Sequence, residues 1–273
     1  MSSFGSEKIN NQNSTIESNF DFNIDDDDDD LSLTVKLKSL SKQFQSDSKD
    51  KDKTLDGTNA HEFLDQLLRP RTMLETETLY SNWSATYEKD IKEMGYNGGP
   101  IAAKYFLQMN FDKSSKILDI GAGTGIVGEI LSKNGFNHID ALDSNEEMLK
   151  ILAKKNCYQN LIQCRVEPQT KLPINDREYD CVILAGVFCP GHIDYHSLEQ
   201  ILRITKSGGF ICWSMGNPKT YADRDELYAE RKFERYIEKL CDQLKWISVL
   251  GYPLVVDDYL EQIPGLFYAM QVI

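Results

Sequence analysis

An α/β fold, with helices on both faces of a mostly parallel, doubly wound sheet, is the architecture this sequence predicts. Three observations carry that expectation. Short apolar runs of strand length alternate with helical patterns from residue 116 to residue 243. The first run, KILDI, passes directly into a glycine-rich turn, GAGTGIVG. The next, HIDALD, ends on an acid, Asp143, 22 residues after Gly121. Strands and helices alternating at this spacing cover a parallel sheet on both sides.

The helical pattern begins near Thr76, where Tyr80, Trp83 and Tyr87 stand three and four residues apart and so share one face. GYNGGP at 95–100 breaks that helix, and Pro100 suits the first turn of the next, which runs to about Met109. The pattern then predicts strand 116–120, helix 124–134, strand 138–142, helix 145–155, strand 161–166, strand 179–184, helix 195–205, strand 209–215 and helix 221–243. Ser144 followed by Glu147 predicts a capping box at the start of helix 145–155. WISVL at 246–250 and LFYAMQVI at 266–273 are strand-like with no helix between them, which predicts a closing antiparallel pair.

Composition divides the chain into an acidic tail, 1–60, N-terminal helices forming a lid, 61–110, and a core, 111–273. The tail carries 13 acidic and 7 basic residues, six of the acids in one run from Asp25 to Asp30, and no Trp or Tyr. Burial cannot offset chain entropy in such a segment, so it is expected to be disordered. LSLTVKLKSL at 31–40 alternates apolar and polar residues, a chance pattern in preference to a strand offered to a partner. Partner binding by the acidic tail is the sharper alternative.

The net charge of −13 argues against attraction to nucleic acid or an anionic membrane. No apolar run follows a basic N-terminal segment, and none is long enough to span a bilayer. The six cysteines form no CxxC pair and are read as reduced thiols of a protein of the cytoplasm or nucleus.

The turn after KILDI holds two overlapping signatures. Gly121-x-Gly123-x-Gly125 behind Asp119 is one; Gly123-x-Gly125-x-x-Gly128, the dinucleotide fingerprint, is the other. In both, glycines let the backbone approach a ligand and a helix N-terminus presents free amides. Asp143 can accept two hydrogen bonds from ribose hydroxyls. The turn and Asp143 together therefore point to an adenosine ligand and do not decide between S-adenosylmethionine and NAD.

Three further features separate them. Asp119 lies where a dinucleotide fold is usually apolar. EYDCVILAGVF at 178–188 opens a strand with Tyr-Asp, and LRITKSGGFICWS at 202–214 enters the next through a Lys-x-Gly-Gly turn. The sheet closes with an antiparallel pair. Together these resemble the class I S-adenosylmethionine-dependent methyltransferases over about 80–273. The resemblance implies a Rossmann-like, seven-stranded sheet whose last strand is antiparallel. YSNWSATYEKDIKEMGYNGGP, ILDIGAGTGIVGEIL, YDCVILAGVF and LEQILRITKSGGFICWSMGNP narrow it to something similar to the methyltransferase-like proteins of the Williams–Beuren syndrome region.

What the resemblance implies is S-adenosyl-L-methionine as cofactor, held by Asp119, Gly121, Ala122, Gly123, Gly125, Asp143, Ser144, Val166, Ala185 and Tyr87. Many members of the superfamily place Asp or Asn after the third strand to bond adenine. Here the stretch reads QCRVEPQTKLP, leaving the backbone of Val166, or Glu167, for that task. Tyr80, Trp83 and Tyr87 form either a lid over a sulfonium, where aromatic faces favour positive charge, or a helix face packed as core. FCPGHIDYH at 188–196 follows the fourth strand; His192, with Tyr87, is a catalytic candidate, and a metal held by His192, His196 and Asp194 is disfavoured. The expected function is methyl transfer to a small molecule or a protein side chain. The alternatives are an NAD-dependent oxidoreductase, which would lack a Tyr-x-x-x-Lys pair, and a non-catalytic cofactor-binding scaffold.

Overall fold

The computed structural model describes residues 67–69, 71–249, 253–261 and 263–273. The chain divides into two units, Met1–Lys51 and Asp52–Ile273. Everything described lies in the second, so the expectations for the acidic run and for 31–40 fall outside the described residues.

Three helices precede the sheet: α1 (Met73–Trp83), α2 (Tyr87–Glu93) and α3 (Gly98–Gln108). There follow β1 (Ile117–Ile120), α4 (Ile126–Lys133), β2 (Ile139–Asp143), α5 (Glu146–Ala153), β3 (Leu161–Gln163) and β4 (Tyr179–Ala185). α6 (Leu198–Ile204), β5 (Thr205–Gly216), α7 (Lys232–Asp242), β6 (Trp246–Ser248), β7 (Leu254–Leu260) and β8 (Ile263–Val272) complete the order. The strands run β3-β2-β1-β4-β5-β8-β6, with β7 paired to β8 beside that path. β1 to β5 are mutually parallel, and β8 lies antiparallel between β5 and β6. The seven-strand order with an antiparallel closing strand matches the expectation.

Burial explains why the central strands are apolar on both faces. Leu118 and Ile120 of β1 join Val182, Leu184 and Trp213 in a core closed by α6 and α7. Ile117, Ile183 and Cys212 point the other way, onto α3 and α4. Across the β5–β8 ladder Trp213 stacks on Tyr268 with ring centroids 4.5 Å apart and planes 9° from parallel. Such an offset aromatic pair adds stabilisation beyond its buried area.

Several expectations need correction. The helix expected over 221–243 is a helix only from Lys232 to Asp242. Glu230 and Arg231 adopt left-handed backbone, φ 53° and 59°, and end the helical run. The break lets Tyr221 and Tyr228 bury separately from the helix, so tertiary packing overrides local propensity. The helix from Thr76 divides at 84–86, where Thr86 Oγ1 and Trp83 Nε1 both donate to the buried Asp90 carboxylate, at 2.6 and 2.8 Å. The capping residue of α5 is Asn145, not Ser144: its side chain accepts from Met148 N at 3.0 Å. A serine could accept that bond, but only the amide also donates to Glu77 O and Ser81 Oγ of α1, at 2.8 and 2.9 Å. β7 was not expected; it pairs with the first half of β8 where β6 pairs with the second.

Candidate functional site

Sheet order reverses between β1 and β4, so the loops leaving their carboxyl ends diverge and open a crevice. α1 and α2 cover it. The partly open cavity beneath them has a volume of ≈ 200 Å³. Its floor is the glycine turn, one side is Asp143 to Asn145, and the roof is aromatic.

The two glycine signatures separate here. Gly121 and Gly123 line the cavity; Gly125 and Gly128 do not. Gly123 sits at φ +55°, and a Cβ on it would meet nothing within 4 Å, so the missing side chain is open ligand space. Gly128 instead faces Tyr158, whose Cζ would lie 2.1 Å from an added Cβ. Close packing of a helix on a neighbouring ring, not a ligand, requires that glycine.

Tyr158 was not anticipated. Its hydroxyl accepts from Gly128 N at 2.9 Å and donates to Asp119 Oδ2 at 2.7 Å, linking the α4 N-terminus to β1. Asp119 is 1% exposed and lies behind the cavity wall. Its Oδ1 has no partner among the described residues. Burial pushes its carboxyl up to about 7, against the Tyr158 bond, which favours ionisation. Asp119 thus orients the turn through Tyr158. Ala122 also packs behind the wall, with Leu149 and Leu152.

Asp143 stands on the wall. Gly123 N donates to one carboxylate oxygen and Asn145 N to the other, each at 2.8 Å. Two amides fix the carboxylate and leave a lone pair on each oxygen. Burial raises its carboxyl above the ordinary range, opposed by these backbone bonds. A fixed acceptor pair beside a side-chain-free turn fits a ligand that offers two neighbouring hydroxyls.

Ser144, Val166, Ala185, Tyr87 and His192 also line the cavity. Of the ten residues expected to hold the cofactor, the structure gathers seven on one cavity and leaves Asp119, Ala122 and Gly125 behind it. Arg165, next to Val166, turns away to pair with Glu77 of α1. The aromatic trio is both roof and packing. Trp83 is 1% exposed, yet Tyr80, Trp83 and Tyr87 all reach the cavity, with centroids 4.7 to 6.1 Å apart. Tyr96, Tyr221 and Tyr259 join them from three distant segments. Their sequence spacing carries no period, so only the fold reveals them.

His192 and His196 part company. His196 Nδ1 lies 2.7 Å from Asp194 Oδ1, away from the cavity. His192 Nε2 meets the Tyr80 hydroxyl at 2.8 Å, and its Nδ1 meets Pro190 O at 2.9 Å. Burial lowers its pKa, so the imidazole is neutral near pH 7. Among the described residues no three His, Cys, Asp or Glu side chains gather as metal ligands. None of the described helices is long and apolar enough to cross a membrane.

Comparison with known proteins adds an independent line. A family model described as "Methyltransferase domain" matches residues 118–213, from β1 into β5. Human methyltransferase-like protein 27 is 25% identical over 177 residues, covering 64% of this chain and 69% of that protein. The ubiquinone biosynthesis O-methyltransferase of Rickettsia prowazekii is 40% identical over 119 residues, 41% of this chain, and the chain spans only 46% of that enzyme's length. Among solved structures, a chain of the Haloferax volcanii complex between the Trm112 methyltransferase activator and a methyltransferase shares the fold, with TM-score 0.53, 15% identity, 71% of this chain and 95% of that chain covered. A methyltransferase domain that begins at the glycine-turn strand agrees with a sheet of this order. Residues 118–213 thus form a methyltransferase domain, similar to those of the class I S-adenosylmethionine-dependent methyltransferases, whose cofactor is S-adenosylmethionine.

Proposed function

We propose that the cavity holds S-adenosylmethionine and a small-molecule acceptor side by side, and that the protein transfers a methyl group to that molecule rather than to a protein side chain. The observation that carries this reading is the roof: α1 and α2 cover the glycine turn with aromatic and aliphatic side chains, making a recessed apolar cleft of the kind that takes small molecules. Asp143 takes the ribose hydroxyls, Gly121 and Gly123 admit the backbone-hugging part of the ligand, and Ser144, Val166 and Ala185 flank it. Tyr87 offers an aromatic face to a sulfonium. Asp119 and Ala122, with Gly125 at the helix start, support the turn from behind.

Bound S-adenosylmethionine supplies an activated methyl group. The protein's part is to orient an acceptor against it and exclude water, and positioning alone supplies a large share of such an acceleration. The Rickettsia relative, named for a step of ubiquinone biosynthesis, supports a small-molecule acceptor.

The test is thermal unfolding of the full chain with S-adenosylhomocysteine and, separately, NADH. A ligand at ~100 times its dissociation constant adds about 2.7 kcal/mol, a shift of roughly 5–10 °C for a domain of this size. The expected result is a shift with S-adenosylhomocysteine alone, abolished by Asp143→Ala. A shift that survives Asp143→Ala, or that only NADH produces, overturns the site.

A further inference from the structure

The polarity of one hydrogen-bond chain dictates what the acceptor must offer. His192 Nδ1 lies 2.9 Å from the Pro190 carbonyl, an oxygen that can only accept. Nδ1 therefore carries the hydrogen, and in the neutral ring Nε2 is left as an acceptor. Cys189 Sγ, 3.2 Å from Nδ1, is compatible with this, since its thiol points to Gly186 O at 3.6 Å. Nε2 in turn must receive the Tyr80 hydroxyl hydrogen across 2.8 Å. With its hydrogen committed, the Tyr80 oxygen has only lone pairs to present to the cavity it lines. Burial keeps Tyr80 protonated and His192 neutral, so the arrangement holds at neutral pH. The chain runs one way, from cavity to loop, and its open end is a hydrogen-bond acceptor.

Charge narrows the ligand further. Among the described residues, those lining the cavity include no Lys or Arg; Glu77 and Asp143 are its carboxylates. Glu77 is already paired with Arg165. An anionic acceptor would find no cation on the described cavity wall itself and would lie near Asp143, the charge of Arg71 acting on Tyr80 and His192 from behind the wall. The remaining wall is aromatic and aliphatic: Tyr96 and Tyr259 meet edge to face at 5.4 Å and line the cavity with Tyr80, Trp83 and Tyr87. Flat apolar rings suit such walls.

We propose that the acceptor is an uncharged, planar hydroxyl compound of the phenol class, bound by its O–H to the Tyr80 oxygen of the Tyr80–His192 pair. This rests on the reading of the cavity as the methyl-transfer site. As the acceptor oxygen bonds to the donated methyl, the donor's methyl–sulfur bond would break with its electron pair left on sulfur, the neutral thioether being the leaving group, and the acceptor's O–H electron pair would stay on oxygen. The released proton passes to Tyr80 while Tyr80's own proton passes to His192 Nε2, so one O–H bond is remade and the imidazole becomes an imidazolium. Tyr80 is then the catalytic residue and His192 the positioning residue that orients it and takes the proton.

The test is binding, measured by calorimetry on the full chain saturated with S-adenosylhomocysteine, using 2-naphthol, 2-methoxynaphthalene and 2-naphthoate. The expected order is 2-naphthol tightest, with the ether and the carboxylate each weaker by about tenfold, the worth of one hydrogen bond or more. Tyr80→Phe and His192→Gln erase the preference of naphthol over its ether while S-adenosylhomocysteine affinity stays within about twofold. The proposal is overturned if naphthoate binds as well as naphthol, if the preference survives Tyr80→Phe, or if none of the three binds to the loaded protein. Failure of S-adenosylhomocysteine itself to bind would instead sink the cofactor site.

Discussion

Asp119 shows how a single buried group makes stability depend on pH. Its carboxyl is held at about 7 by burial, above the ordinary carboxylate range. Between those limits the folded protein keeps a proton that the unfolded chain has lost. Stability therefore falls as pH rises from about 4 to about 7, then levels once the folded form ionises too. Asp119→Asn is expected to flatten that slope in urea unfolding at pH 5 and pH 8; an unchanged slope would assign it elsewhere. Tyr158→Phe removes both the donor to Asp119 and the acceptor for Gly128 N. A loss of about 1–3 kcal/mol is expected from the same unfolding curves. The glycines separate structure from ligand. At Gly121 a Cβ would sit 2.4 Å from Val187 Cγ1, so Gly121→Ala costs folding stability, about 1–3 kcal/mol. At Gly123 the same methyl meets only open space. Gly123→Ala is expected to leave Tm within a few degrees yet weaken S-adenosylhomocysteine about tenfold or more, ~1.4 kcal/mol. Equal effects of the two on Tm and affinity would contradict this division.

Among the elements, Asn145 couples α5 to the roof. It caps α5 through its oxygen and holds α1 through its nitrogen. Asn145→Asp keeps the cap but sets a carboxylate against the Glu77 carbonyl. Loosening of α1 is expected, seen as faster amide exchange in 73–83 with α5 unchanged; equal protection in both helices would refute it. The strand–helix alternation around the glycine turn was legible because each element there is short, amphipathic or apolar, and bounded by turn residues. The helix over 221–243 was misread because its sequence is helical by propensity, while Tyr221 and Tyr228 are buried by partners far away in sequence. β7 was missed because it is stabilised by pairing with β8 rather than by its own pattern, LVVDDYL, whose adjacent valines and aspartates break alternation. The floor of the site, Gly121, Gly123 and Asp143, could be read from spacing alone. Of its roof, Tyr80, Trp83 and Tyr87 were legible from their helical spacing, whereas Tyr96, Tyr221 and Tyr259 converge only once the sheet has formed.

For the molecule as a whole, β8 is the strand on which the closing half of the sheet depends. It pairs with β5 along one side and with β6 and β7 along the other. Trp213, Tyr268 and Trp246 stack across the β5–β8 and β6–β8 ladders, with centroids of 4.5 and 5.8 Å from Trp213. Removing 263–273 is expected to abolish cooperative unfolding, because β6 and β7 lose their only sheet partner among the described strands and Trp213 its stacked ring; a sharp transition in near-ultraviolet circular dichroism would contradict this. Synthesis runs in the order of the sequence, so β8 leaves the ribosome after all three strands it pairs with. The half-sheet of β1 to β5 can assemble while translation continues, but β6 and β7 must wait beside an unfilled slot. During that interval β5 presents a bare edge rich in aromatic side chains, the kind of surface that holding chaperones recognise. The nascent chain thus has a window of exposure whose length is set by how quickly β8 is delivered.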